Sequence, residues 1–173
     1  MLSDAVLLSS AAQLSSKLID CYRKGGKLLI FGNGGSASQS QHIAAEFSGK
    51  YLRARKALPA ISLTENISSL TAIGNDYGFE RVFSRQLEAF AQKGDIAIGI
   101  STSGNSPNVL EALKYAKEKG IFCVALTGKD KCKVDALADI VIKVPSSATP
   151  RIQEMHLLVL HTVCEEVEEA LFG

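Results

Sequence analysis

Two hydrophobic rhythms alternate along the chain. Short runs that are apolar nearly throughout fall at Lys27–Phe31, Pro59–Leu63, Asp95–Ile100, Ile121–Leu126 and Asp139–Val144. Such runs predict strands buried on both faces. Between them, apolar positions recur every three or four residues, the rhythm of amphipathic helices. These predict helices over Leu2–Arg23, Ser36–Tyr51, Glu65–Gly74, Gly78–Gln92, Pro107–Lys119, Asp130–Ala138 and Ile152–Leu171. The first carries Val6, Leu7, Leu14, Leu18 and Cys21 on its apolar face and stops at Gly25-Gly26. Asn75-Asp76 reads as a turn, Arg53–Lys56 as a basic connector and Pro145–Pro150 as a loop.

Strands alternating with helices imply an α/β fold: a three-layer, doubly wound sheet of about five parallel strands with helices on both faces. The 173 residues suit a single domain, 1–173, with no internal repeat or linker. In such sheets ligands bind at the carboxyl ends of strands, near a topological switch point.

Bulk properties narrow the functional classes. A formal net charge of +1 gives no footprint for nucleic acid or an anionic membrane. No apolar run approaches the roughly 20 residues of a membrane span. The opening Met1-Leu2-Ser3-Asp4 lacks a basic signal-peptide region. Cys21, Cys123, Cys132 and Cys164 form no C-x-x-C pair, as expected of reduced thiols. A cytoplasmic protein is expected.

Chemistry concentrates after two of the predicted strands. Ile96–Ile100 runs into Ser101-Thr102-Ser103-Gly104-Asn105-Ser106, and a helical pattern opens at Pro107. A hydroxyl-rich turn at a helix N-terminus holds anions, because free N–H groups and the helix dipole both favour negative charge. An ordinary capped turn needs one Ser and one Gly, whereas this one has four hydroxyl residues. The expected ligand is a phosphate monoester, neutralised by dipoles because the turn has no Lys or Arg. The second turn, Gly32-Asn33-Gly34-Gly35-Ser36-Ala37, also fits the dinucleotide fingerprint G-x-G-x-x-A, with Glu65 as a distant ribose acid. That alternative leaves Ser101–Ser106 unexplained.

Two helices carry polar residues suited to a site. His42 and Glu46, four apart, share a face of a helix that Ile43, Ala44, Ala45 and Phe47 make largely apolar. Gln153 and His161 lie about 80° apart around the closing helix, whereas His156 is about 140° from His161. His156 is therefore expected to be a packed or surface residue. His42, Glu46, Gln153 and His161 form a possible four-ligand set for Zn²⁺, although Gln is an unusual ligand.

Taken in order, Gly32-Asn33-Gly34-Gly35-Ser36, His42-Ile43-Ala44-Ala45-Glu46, Gly74-Asn75-Asp76, Ile100–Ser106 and Arg151-Ile152-Gln153-Glu154-Met155-His156 resemble the phosphoheptose isomerases. These are sugar-isomerase (SIS) domain proteins of flavodoxin-like topology that convert sedoheptulose 7-phosphate to D-glycero-D-manno-heptose 7-phosphate. The resemblance runs from about Gly26 to Leu171. It implies a cytoplasmic homotetramer with sites between subunits, an N-terminal helix (about 2–24) used in oligomerisation, and a role in lipopolysaccharide precursor synthesis. By position it places phosphate binding on Ser101, Thr102, Ser103 and Ser106. Sugar contacts fall on Asn33, Ser36 and Asp76, with Gly34, Gly35, Asn75 and Gln153 in the same substrate site. The proton-transfer pair falls on Glu46 and His161, and one zinc ion per subunit on His42, Glu46, Gln153 and His161. The chain departs from the family pattern in a shorter N-terminal helix, Pro150 where many members have Asp, and Lys50 where some have Arg.

A second SIS relative, a non-enzymatic partner of the bacterial replication initiator, shares the phosphate loop and the Arg-Ile-Gln-Glu-Met-His run. It lacks the second histidine and the acid that here are His161 and Glu46. Sugar-sensing SIS regulators add a helix-turn-helix domain for which this chain has no room.

Overall fold

The computed structural model describes residues 4–173. Five parallel strands, β1 (Leu28–Gly32), β2 (Ala60–Ser62), β3 (Ile96–Ile100), β4 (Phe122–Thr127) and β5 (Ile140–Lys143), form one sheet in the order β2-β1-β3-β4-β5. The helices are α1 (Ala5–Arg23), α2 (Gly35–Ser48), α3 (Ile67–Tyr77), α4 (Ser84–Phe90), α5 (Pro107–Glu118) and α6 (Thr149–Phe172). This is the doubly wound architecture expected from the pattern.

Alternation along the strands divides the core in two. Leu28 and Ile30 of β1, Ile96, Ile98 and Ile100 of β3, and Val124 and Leu126 of β4 face α1, α2 and α6. Leu29 and Phe31, Ala97, and Cys123 and Ala125 face the opposite way, onto α4 and α5. Every residue of β1 and β3 is buried, which explains why these runs contain no polar position. Cys21, Cys123 and Cys164 are buried and all four cysteines are unpaired. Burial pushes the thiols of Cys123 and Cys164 up to about 12.

Several element boundaries differ from the expectation, each for a local reason. The expected start of α1 at Leu2 lies outside the described residues; Asp4 caps the helix by accepting from the N–H of Val6 and Leu7. α2 stops at Ser48, three residues short of Tyr51, because the segment that follows is drawn across onto α6. No turn forms at Asn75-Asp76. α3 continues through both to Tyr77 and stops at Gly78, whose φ of +90° breaks the helix. The second expected helix there is a single 3₁₀ turn, Phe79–Arg81, followed by the short α4. The expected Asp130–Ala138 helix shrinks to a 3₁₀ turn, Lys133–Ala136, because Asp135 folds back on the Cys132 N–H and pairs with Lys143. α6 begins inside the expected loop, at Thr149, with Pro150 in its first turn, where a missing N–H leaves no bond unmade.

Among the described residues, no helix is long and apolar enough to cross a membrane.

Candidate active site

Sheet order decides where ligands can sit. β1 and β3 are neighbours, with Gly32 paired to Ile100, and their outgoing connections diverge to helices on opposite faces. This is the switch point of the sheet. Both polar turns leave from it: 33–34 into α2 and 101–106 into α5.

In the 101–106 turn the hydroxyls converge. Ser101 Oγ lies 2.9 Å from Ser106 Oγ and 3.5 Å from Ser103 Oγ. Ser106 stands at the N-cap of α5, yet its side chain makes no capping bond and turns to Ser101 instead. Pro107 follows at the first position, as expected. Gly104 curls the turn with φ of +63°; a Cβ there would strike Cys132 and Thr127. The turn is braced from β4 and beyond: the Gly128 N–H donates to Thr102, the Val134 N–H to Gly104 and the Lys133 N–H to Asn105 Oδ1. A cluster of rotatable O–H donors over the N-terminus of a three-turn helix has the chemistry to cradle a phosphate.

The glycine turn is tied to this cradle by a residue that sequence reasoning missed. Asn33 and Asn108 exchange two amide hydrogen bonds, each 2.8 Å, and Asn108 is buried. The pairing leaves the Asn33 amide one N–H and one oxygen lone pair for a ligand. Asn108 lies in a Pro-Asn-Val-Leu helix start, and nothing in its sequence context distinguishes it. Ser36 is buried in the first turn of α2. Gly34 opens that helix with φ of +55°. Gly35 lies against the Gln153 amide, which a Cβ there would displace.

His42, Glu46 and His161 come together. His42 Nε2 lies 2.8 Å from His161 Nε2 and 3.3 Å from Glu46 Oε1, and one atom of each residue falls within 4.8 Å of the others. Two imidazoles and a carboxylate are a donor set that binds zinc while leaving a position open for water or substrate. The Tyr51 ring flanks His161 at 5.7 Å between centroids. Gln153 is two turns away on α6, its side chain against Gly35 and its carbonyl accepting from Gln39. Asn75 and Asp76 lie on the exposed end of α3, hydrogen-bonded to each other.

His156 is packed, one of the two outcomes expected. It is buried, with Nε2 3.2 Å from the Thr127 carbonyl and Nδ1 unpartnered. Burial lowers its pKa to about 4, against a weaker raising effect of the Thr127 bond, so the ring is neutral and Nε2–H is the donor.

Comparisons with known proteins agree with this fold. The SIS domain family matches residues 7–128. Phosphoheptose isomerase 1 of Campylobacter jejuni is 54% identical over 165 residues, covering 95% of this chain and 89% of that protein. The phosphoheptose isomerase of Aneurinibacillus thermoaerophilus is 52% identical over 172 residues, covering 99% and 87%. The solved structure of phosphoheptose isomerase GmhA from Neisseria gonorrhoeae superposes with a TM-score of 0.89 at 44% identity, over 94% of this chain and 87% of that one.

Proposed function

Since the chain belongs to the phosphoheptose isomerases of the SIS-domain family, we propose that Glu46 and His161 are the proton carriers of its aldose–ketose isomerisation. The reaction converts sedoheptulose 7-phosphate to D-glycero-D-manno-heptose 7-phosphate. The observation that supports this assignment is the meeting of a carboxylate and two imidazoles between α2 and α6. The initiator-binding reading gains no support from these relatives, which are isomerases.

Isomerisation of the ketose needs a proton taken from C1 and returned to C2, and a proton moved from O1 to O2. Glu46 takes the C1 proton, generating a cis-enediol, and delivers it to C2. His161, whose ring accepts and donates through one nitrogen, carries the oxygen proton. Ser101, Thr102, Ser103 and Ser106 hold the phosphate, which undergoes no chemistry and fixes the far end of the sugar against the pair. Asn33, Gly34, Gly35, Ser36, Asn75, Asp76 and Gln153 complete the substrate site.

His42, Glu46 and His161 suit one zinc ion per subunit, with Gln153 as a fourth ligand if its side chain swings from Gly35. When bound, the ion supplies a Lewis acid to the substrate oxygens. Metal analysis of the purified protein should find up to one zinc per subunit, lost in His42→Ala; full activity of thoroughly metal-free protein would reduce the ion to a structural role.

The protein works as a cytoplasmic homotetramer supplying heptose for lipopolysaccharide precursors. α3 buries none of its residues within the chain, and Ile67, Tyr77, Phe79 and Phe90 are exposed, as are Val6 and Leu8 of α1. Such apolar surface supports assembly with further copies.

Glu46→Gln and His161→Asn test the assignment. Each should leave a folded protein with little turnover of sedoheptulose 7-phosphate, and near-normal activity in both would overturn it.

A further inference from the structure

One pair of charged side chains beside the cluster takes no part in the chemistry. Arg55 and Glu168 meet at 2.7 Å with side chains 1% and 3% exposed, the most deeply buried ion pair among the described residues. Arg55 appeared in the sequence only as part of a basic connector. Glu168 is one of four acids between Glu165 and Glu169.

Their hydrogen bonds join three parts of the molecule. The Glu168 carboxylate, on α6, accepts from the backbone N–H of Tyr51, Leu52 and Arg53 at 3.1, 2.7 and 2.9 Å. Arg55 donates through Nε to Glu168, through Nη2 to the Glu46 carbonyl at 2.8 Å, and through Nη1 to the Phe47 carbonyl at 2.9 Å. The last two bonds seize the C-terminal end of α2, where carbonyls lack helical partners and a cation is favoured by the dipole. The backbone unit held by Arg55 thus belongs to the residue whose carboxylate faces His42. Glu168 follows His161 by two turns, about 20° around α6, so the clamp and the histidine share a side of that helix. Tyr51, whose N–H is gripped by Glu168, is also the ring that flanks His161.

A buried ion pair is a poor device for stability alone, because an apolar pair of similar volume usually serves as well or better. Its strength is direction: the guanidinium fork fixes several acceptors at once. Burial raises the Glu168 pKa, but the Leu52 N–H, the Arg55 guanidinium and the Tyr51 and Arg53 N–H groups outweigh it and hold the carboxyl below its usual range. The pair is thus charged at neutral pH.

We propose that Arg55 and Glu168 are positioning residues of the isomerase site, setting the separation of α2 and α6 and with it the placement of Glu46 and His42 against His161. The proposal rests on the assignment of Glu46 and His161 to proton transfer. It has a readout independent of turnover, since the chain contains three histidines and the third is a control on the same helix.

The test uses the full-length protein with isotopically labelled histidine, comparing wild type with Glu168→Gln and Arg55→Lys. The ring resonances of His42 and His161 should move in both variants while those of buried His156 stay. Turnover should fall on the order of a hundredfold, the loss typical of a misplacement near 1 Å. KM for sedoheptulose 7-phosphate should stay within about twofold, because the phosphate cradle lies on another part of the fold. Arg55→Lys retains the charge and loses the fork, so it reports on the proposal even if Glu168→Gln fails to fold. Unmoved His42 and His161 signals, or all three histidines moving together, would overturn it. If the signals move as expected but the wild type does not isomerise the sugar, the functional assignment fails and the positioning role stands.

Discussion

The hydroxyl turn is made within six residues of chain, 101–106, whereas His42 and His161 meet across 119. In the turn, a strand end, a glycine and a helix start generate the donors locally, and the rest of the protein only braces them. In the cluster, neither α2 nor α6 has a site of its own. Its geometry exists only while two helices from opposite ends of the chain hold their spacing. The difference teaches where each function is vulnerable. Anchoring of phosphate should fail through loss of individual donors, and catalysis through loss of alignment.

The sharpest way to separate the two regions is to remove the proton carriers. Glu46→Gln and His161→Asn should lower turnover by roughly 10²–10⁴-fold, the usual contribution of general acid–base catalysis, without weakening phosphate anchoring. Loss of substrate binding in parallel with turnover would show that the two regions are not separable in this way.

His156 provides the contrast within one helix. Its folded pKa, about 4, lies below the ordinary value of 6.5, so the folded state binds fewer protons than the unfolded state. The corresponding stability is fully present above pH 6.5 and is lost as pH falls through 4, amounting to roughly 3 kcal/mol. Chemical denaturation across that range should show this component in wild type and not in His156→Asn, whose turnover at neutral pH should stay close to normal. Damage to turnover comparable with that of His161→Asn would contradict the division between the two histidines.

In the anchor the effects should be smaller and spread over several residues. Ser103→Ala and Ser106→Ala should each remove about 1.5–3 kcal/mol of hydrogen bonding to a charged group, roughly a tenfold to hundredfold loss in kcat/KM carried mainly by KM. A fall in kcat at unchanged KM would mean that these hydroxyls act on the reacting carbons instead.

The same contrast explains what could be read from the sequence. The strands were legible because β1 and β3 are buried on both faces and so contain no polar residue. The cluster of hydroxyls at 101–106 was legible because its residues are contiguous. His156 was separated from His161 by helix angle alone, which is a local property. Asn108, Arg55 and Glu168 were not legible as site residues. Their roles depend on partners 75 to 117 residues away, and an Asn, Arg or Glu in a helix or connector looks alike whether buried or solvated. One clue to Glu168 was present, since it continues the stripe of Leu160 and Cys164 toward Leu171 on the apolar side of α6. The end of α3 was misread for a related reason: Asn and Asp suggest a turn, but Gly78, three residues after Asn75, is where the backbone can break.

The most direct test of the whole account compares two substrates that differ only at the anchored end. The protein should convert sedoheptulose 7-phosphate to the aldose phosphate and turn over unphosphorylated sedoheptulose far more poorly, with Ser103→Ala and Ser106→Ala narrowing that preference. Equal turnover of both sugars would contradict the phosphate anchor. No conversion of the phosphorylated sugar under any metal condition would contradict the isomerase itself.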